Sequence, residues 1–495
     1  MSDETRIPVI VGVGQINDRP ADPAAGLDSL QLMEAALRAA DADAGGGWLA
    51  RLDSLAVVAQ LSFAALGDCS KPLAEAIGAS PRLCTQTRYP MGDSPVMLLN
   101  EAANLIAAGE IESAAVAGGE ALRTAAARAS KASLDAVRQS ATRAAKPGRE
   151  RYGIVAPTDV YPLYENACRA AWGQTLTEGQ QESAEIWSSF SRIANQSPGA
   201  WLAAGPLPPS MIATPSAVNR PIAFPYTKLM VANSSVNQGA AFIVASLAKA
   251  KQMGVPEHRL IYVGRGAAAR EPGDVLARDR LDRSLGLETS LRAALRVNGL
   301  AVSDLDHVEL YSCFPCVPKM AWRAIDWPVT RPMSVFGGLT FGGGPVGNYM
   351  SHAIAAITDA LRASGTHGLL FGNGGFATTS HALIVSRDPA IAARGPHDPT
   401  VQSEADAKRG GTPILDETYS GPASIETYTV FYERDGAPKF GVVVARTPSG
   451  ARALARVEAS DTDMIRFLTS GDVEPVGTAG VIASAADDLR VWRSA

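Results

Sequence analysis

"AAGEIESAAVAGGEALRT" (107–124) and "ASGTHGLLFGNGGFATTS" (363–380) are two versions of one unit, and their pairing decides the fold. At an offset of 256 residues Gly109 falls on Gly365, and Gly118-Gly119 fall on Gly374-Gly375. Each version reads as a helix end, a short buried strand and a glycine pair. Upstream, at an offset of 253, "LARLDSLAVVAQ" (49–60) matches "VSDLDHVELYSC" (302–313), aligning Leu52-Asp53 with Leu305-Asp306. Both follow helical stretches, "LQLMEAALRAA" (30–40) and "ETSLRAALRV" (288–297). Strands alternating with helices in two similar halves predict an α/β protein of layered sheets and helices.

The duplication also pairs two helix-entry loops. In "YPMGDSPV" (89–96), Ser94 reads as a hydroxyl cap and Pro95 as a first-turn proline. Val96, Leu99, Ala103 and Ile106 then recur as one apolar face. The matching loop "GGGPVGN" (342–348) precedes a helix that carries Met350, Ile354, Ile357 and Leu361. Two such loops, one per half, are expected to converge on one cleft. Helix-start N–H groups there favour an anion or a thiolate. Position 92, however, is glycine.

Composition narrows the class. The chain has 495 residues, 46% hydrophobic and 19% charged, which describes a globular protein of several domains. A net charge of −5 gives no reason to expect nucleic acid or an anionic membrane as partner. "MSDETRIPVIVGVGQ" (1–15) carries acids where a signal peptide needs positive charge, and no apolar run reaches bilayer length. A cytoplasmic protein is expected. The cysteines at 69, 84, 168, 313 and 316 are too scattered for a disulfide scaffold. "CFPC" (313–316) lacks the second pair of a zinc site, so no metal is expected. No G-x-S-x-G elbow supports a serine hydrolase around Ser94.

Between the first unit and residue 235 lies an insertion with no counterpart in the second half. It opens on a basic run: Arg123, Arg128, Lys131, Arg138, Arg143, Lys146, Arg149 and Arg151. Such a run is either a solvated face or a clamp for a phosphorylated ligand, since arginine forks fit phosphate oxygens. Residues 389–412 are rich in Pro, Gly and polar residues and read as a linker. Beyond them "SIETYTVFYER", "KFGVVVAR" and "ARALARVE" alternate as strands around two turns, followed by the capped helical turn "DTDMIRFLTS" and further strands. A small OB-type barrel over 413–495 is predicted, with Tyr428, Phe431 and Tyr432 as strand residues rather than a base-stacking platform.

Taken together, "IPVIVGVGQ", "AAVAGGEALRT", "GGLTFGGGPVGNYMSHAIA" and "GNGGFATTSHALIV" resemble the thiolase superfamily, most closely its sterol-carrier-protein branch and the type-1 thiolase-like proteins. The resemblance implies a duplicated, five-layered αβαβα fold. Its N-terminal half spans 1–275 with the insertion at about 123–235, its C-terminal half spans 276–388, and the barrel is the extra C-terminal domain. It implies coenzyme A or an acyl-CoA as ligand, with Arg123 and Arg128 opening the covering region. "ANSSVNQGAA" (232–241) resembles the family's coenzyme-A segment and places Ser234 near the pantetheine. A homodimer paired through an N-terminal strand is the family expectation. The fused barrel leaves a monomer open.

Thiolases resembling this chain work through a cysteine thiolate, a second cysteine that moves a proton, and oxyanion holes. Carried onto this sequence, all four reactive positions are empty or changed. "GDS" puts Gly92 at the nucleophile and keeps Ser94; "YSCF" puts Tyr311 at the Asn/His place and keeps Cys313 and Phe314. "GGP" puts Gly344 at the histidine and keeps Pro345, while "GNG" puts Gly372 at the second cysteine ahead of Asn373 and Gly374. Three functions stay open. One is an acetyl-CoA acetyltransferase relative of lipid metabolism that binds a CoA ester without thiolase chemistry. Another is a retro-aldol lyase on β-hydroxyacyl-CoA using Tyr311 and Tyr349 as acid and base. The third is an interaction module whose barrel recruits a protein partner.

Overall fold

The computed structural model describes residues 3–129, 148–202, 205–392, 395–485 and 489–494. Apolar runs covered on both faces make most of its central strands, as parallel and mixed sheets with helices on each side require. They are β1 (Pro8–Asn17), β2 (Ser54–Val57), β3 (Leu83–Gln86, at the sheet edge), β4 (Ser113–Ala121), β7 (Asn237–Ser246), β8 (Ile261–Arg270), β9 (His307–Leu310), β10 (His367–Gly374) and β11 (Thr379–Ser386), while the short β5 (Pro221–Ala223) and β6 (Tyr226–Thr227) lie in the insertion. The helices that matter here are α1 (Ser29–Asp43), α2 (Ser94–Ala108), α3 (Pro157–Ala171), α4 (Leu176–Gln196), α5 (Leu285–Val297), α6 (Cys316–Ile325) and α7 (Tyr349–Ala363).

Nine strands join in the order β3-β2-β4-β7-β1-β8-β11-β10-β9. The halves meet where Val9 and Ile10 of β1 face Tyr262 and Ile261 of β8. Outward from that seam β1-β7-β4-β2 mirrors β8-β11-β10-β9, so the repeated sequence units are the equivalent strands β4 and β10. Helices α2 and α7 touch each other and strands of both halves, which makes them the middle layer. Outside, α1 covers β1, β7 and β4, and α5 covers β8 and β11. The layers therefore alternate αβαβα, as expected. Close approach of α1 depends on small residues: a Cβ at Gly14 would collide with the Ala36 carbonyl and lie 2.5 Å from the Ala40 nitrogen, and one at Gly239 would lie 2.5 Å from the Leu32 carbonyl.

The C-terminal strands β12 (Gly421–Tyr432), β13 (Pro438–Arg446), β14 (Arg452–Glu458), β15 (Ala479–Ser484) and β16 (Arg490–Ser494) close into a barrel. β14 and β16 run parallel at Arg456–Val491, the other pairs antiparallel, and α8 (Thr462–Thr469) sits between β14 and β15. This is the OB order. Tyr428 and Trp492 are buried inside it with Ile425, Val443 and Ile482. The insertion contributes β5 and β6 to the edge of this sheet, through Ala223 opposite Phe431. The stretch expected as a linker is laid along the body: Val401 donates to the Ala268 carbonyl (2.8 Å), and Asn104 of α2 bonds both ways with the His397 backbone. No helix among the described residues is long and apolar enough to cross a membrane.

Arg452 clamps barrel to body. Fully buried, its guanidinium donates to both oxygens of Glu426 (2.7 and 2.6 Å) and to the carbonyls of Leu276 (2.6 Å) and Arg278 (2.8 Å). Removing Arg452 leaves the Leu276 and Arg278 carbonyls without this donor and Glu426 with Arg446 (2.9 Å) as its remaining cation, so Arg452→Ala is expected to cost about 1–3 kcal/mol in chemical unfolding. An unchanged denaturation midpoint would refute the clamp.

Candidate functional site

Six chain segments converge on one cavity of about 410 Å³. They are the turn before α2 (90–92), the start of α3 (156–161), the loop before β7 (232–234), the turn after β9 (311–314), the loop before α7 (339–347), and the end of β10 (373–375). Loops that follow the strands of such a sheet collect at one end of it, which is why the duplication brings both halves here. Gly92, Ser234, Tyr311, Cys313, Phe314, Gly344, Pro345, Asn373 and Gly374 line the cavity, as does Tyr161. Gly372, Ser94, Tyr349, Arg123 and Arg128 are not among its lining.

The glycines are packed, not merely bare. A Cβ on Gly92 would overlap the Tyr311 hydroxyl and the Asn373 carbonyl, and would lie 2.5 Å from Tyr311 Cζ. A Cβ on Gly372 would lie 2.8 Å from Asp93 Cα and 3.2 Å from its Cβ. At Gly344 the Asn233 carbonyl would be 3.2 Å away. Tyr311 fills the space next to position 92, and neighbouring backbone closes on positions 372 and 344.

Tyr161 anchors the opposite wall. Its hydroxyl receives N–H bonds from Asn373 (3.1 Å) and Ala377 (2.9 Å) and donates to the Gly375 carbonyl (3.1 Å). Its ring stacks on Phe314 at 4.4 Å. Burial, then the neighbouring Cys313, pushes its pKa well up. Burial does the same to Tyr311, reinforced by Cys313 and Asp93, and pushes the Cys313 thiol up to about 12. All three are neutral near pH 7. No charged side chain among the described residues lines the cavity.

Behind Tyr311 stands a second tyrosine. Tyr349 meets the Tyr311 ring edge-on at 5.9 Å, and its hydroxyl donates to Glu309 (2.8 Å). Glu309, fully buried, also accepts from the Ser334 hydroxyl (2.8 Å) and the Val335 N–H (3.0 Å). Burial outweighs these bonds and lifts its pKa from 4.5 to about 7. Tyr349 thus props Tyr311 and is turned to Glu309 rather than to a ligand. Ser94 is the first residue of α2, not its cap; Asp93 holds the cap position and instead accepts the Thr379 hydroxyl (2.7 Å). Burial raises the Asp93 pKa. His352, stacked on Phe336 and 2.8 Å from Gln15, is driven down to about 3 by burial and is neutral outside the cavity.

The basic run divides. Arg128 spends its guanidinium on the Ala24 (2.8 Å) and Gly26 (2.6 Å) carbonyls. Arg123 lies over the Trp201 ring. Lys131, Arg138, Arg143 and Lys146 fall outside the described residues. Sequence reasoning missed Tyr161, Asp93 and Glu309. Glu309 had a signal, because two-residue spacing on a strand puts it on the same face as Tyr311. Tyr161 lies in the unduplicated insertion, where no internal match marks it. Among the described residues no group of three His, Cys, Asp or Glu is placed to hold a metal.

This architecture is that of the thiolase fold. Human mitochondrial 3-ketoacyl-CoA thiolase superposes with a TM-score of 0.58 at 15% identity, over 78% of this chain and all of that one. An Ltp2–ChsH2(DUF35) aldolase gives 0.59 at 18% identity, over 78% of this chain and 99% of that one. A monomeric SCP2-thiolase-like protein type 1 from Mycobacterium smegmatis gives 0.84 at 31% identity, over the full length of both chains. Residues 400–486 match the additional C-terminal domain of thiolase-like protein type 1. The chain belongs to the type-1 SCP2-thiolase-like proteins. No curated protein matches it.

Two measurements check this geometry. Gly92→Ala forces a methyl into Tyr311 and is expected to destabilise by about 1–3 kcal/mol, part of which Gly92→Ala/Tyr311→Phe recovers by removing the hydroxyl. Strict additivity of the two would contradict the contact. Glu309 binds its proton more tightly folded than unfolded, so the stability it contributes is lost as pH rises from 4.5 to about 7. That decline is roughly 3 kcal/mol and should be missing from Glu309→Gln, so urea midpoints at pH 5 and 7.5 should move the comparison in the variant's favour.

Proposed function

We propose that this protein binds a CoA ester with its acyl end in the Tyr311–Cys313–Asn373 cavity and carries out no thiolysis. One observation carries the reading: three of the four positions that in thiolases bear reactive side chains are glycines, and at Gly92 and Gly372 the Cβ space is already occupied. Thiolysis needs a thiolate, and the cavity's own thiol, Cys313, keeps its proton up to about pH 12. Loss of a covalent nucleophile lowers turnover by about a millionfold. What remains suits recognition of an uncharged acyl thioester: a neutral phenol, a thiol, an amide and apolar walls from Met91, Phe314 and Leu339.

Tyr311 also favours a second reading, a retro-aldol lyase on β-hydroxyacyl-CoA. There a solvent-borne base takes the β-hydroxyl proton, since no described side chain lining the cavity is charged. The Cα–Cβ bond breaks to release the ketone or aldehyde, and its electron pair enters the thioester enolate, which water then protonates at Cα. A neutral Tyr311 suits the enolate oxygen as hydrogen-bond donor, a role requiring no ionisation. Tyr349 has no part in this reading, since its hydroxyl is bonded to Glu309.

Calorimetric titration with acetyl-CoA is expected to show binding at or below millimolar ligand, and acetoacetyl-CoA with free CoA to show no thiolysis above background. Brisk thiolysis overturns the first reading. Incubation with β-hydroxyacyl-CoA esters tests the second: release of a ketone or aldehyde that Tyr311→Phe slows by about a hundredfold or more supports it, and no release removes it.

A further inference from the structure

Trp201 stands directly behind one wall of the cavity. Its backbone N–H donates to the Gly342 carbonyl (2.9 Å), and its Cβ would lie 2.9 Å from a Cβ on Gly343, next to the lining residue Gly344. Two guanidinium groups share its indole: Arg19 at 4.7 Å from the ring centroid and Arg123 at 5.9 Å. Arg19 is fixed by a bond to the Ala200 carbonyl (2.7 Å), and Arg123 is tied through its N–H to the Val236 carbonyl (3.3 Å), two residues beyond the lining residue Ser234.

Among the described residues no carboxylate forms an ion pair with either arginine. The adjacent acid, Asp18, is turned to the Leu27 N–H at 2.6 Å. Burial and then the charge of Arg123 lower the pKa of Arg19, the signature of two cations held within range of each other. Like charges gathered around one indole, with fork edges left over, present what a phosphate or pyrophosphate oxygen set requires. The cavity itself offers an anion nothing, since its lining is uncharged.

We propose that Arg19 and Arg123, stacked on Trp201, form the site for the phosphate-bearing end of the CoA ester whose acyl end enters the cavity. This rests on the CoA-ester reading above. The site recognises phosphate, so free nucleotides are the competing source of the same chemistry.

Full-length protein is titrated with CoA, with pantetheine (the same thiol arm without phosphates) and with adenosine 3′,5′-bisphosphate. Arg19→Gln/Arg123→Gln is expected to weaken CoA by about tenfold or more and to leave pantetheine unchanged, while Arg19→Lys/Arg123→Lys retains part of the CoA affinity. The salt dependence of CoA binding falls in the Gln variant. Unchanged CoA affinity in the Gln variant overturns the site and leaves the CoA-ester reading standing. If neither CoA nor pantetheine binds the wild type, the CoA-ester reading fails. Bisphosphate binding lost in the Gln variant then supports a nucleotide site at the arginine pair, and no bisphosphate binding overturns the site too.

Discussion

The contact between the Tyr311 hydroxyl and Gly92 constrains everything chemical about this protein. A side chain at 92 and a tyrosine at 311 exclude each other in this backbone, because the first atom of one would overlap the last atom of the other. The tyrosine is held in place from behind by Tyr349, and Tyr349 is held by a buried carboxyl that gathers three donors. A side chain at position 92 is therefore not a local change. It meets a packed column running from Glu309 to the cavity wall rather than empty space.

The same logic explains why the barrel is part of the molecule and not an appendage. The insertion that walls the cavity through Tyr161 also reaches the barrel: α3 contacts β12, Asn166 of α3 donates to the Tyr428 carbonyl (2.9 Å), and Arg169 pairs with Glu474. A buried Lys319–Glu165 pair, with Tyr226 donating to the same carboxylate (2.7 Å), ties α3 to α6. Such pairs add little net stability over apolar packing, but they admit few alternative geometries. The cavity wall, the second half of the fold and the barrel consequently share one set of contacts.

Duplication made the fold legible. Matched glycines and the matched Leu-Asp pairs fix equivalent strands in the two halves, and the strand order mirrors across the β1–β8 seam as that match requires. The alternating C-terminal segment was equally plain, because period-two burial and tight turns are local signals. The cavity was half legible. Residues on the repeated loops and strand ends, such as Gly92, Gly344 and Asn373, could be placed in it, whereas Tyr161 could not, since its position depends on how an unrepeated segment folds back. Ser94 and Tyr349 were drawn in by sequence adjacency to those loops. A helix start separates them from the cavity, because successive helical residues point in different directions. Residues 389–412 have linker composition, yet composition does not report that His397 and Val401 find partners on α2 and β8.

Uncharged lining and a nearby pair of arginines that no carboxylate pairs among the described residues belong together physically. A cavity that keeps two phenols and a thiol protonated penalises any ionised group brought into it, since burial disfavours charge wherever no countercharge waits. Charge is accommodated outside it, where Arg19 and Arg123 lie at least partly exposed to solvent. Sharing one indole goes with a mutual repulsion that lowers the Arg19 pKa after burial, and a bound anion would relieve it. Under the CoA-ester proposal, affinity divides between two ends with different physics: apolar burial and hydrogen bonding for the acyl group, salt-sensitive attraction for the phosphates.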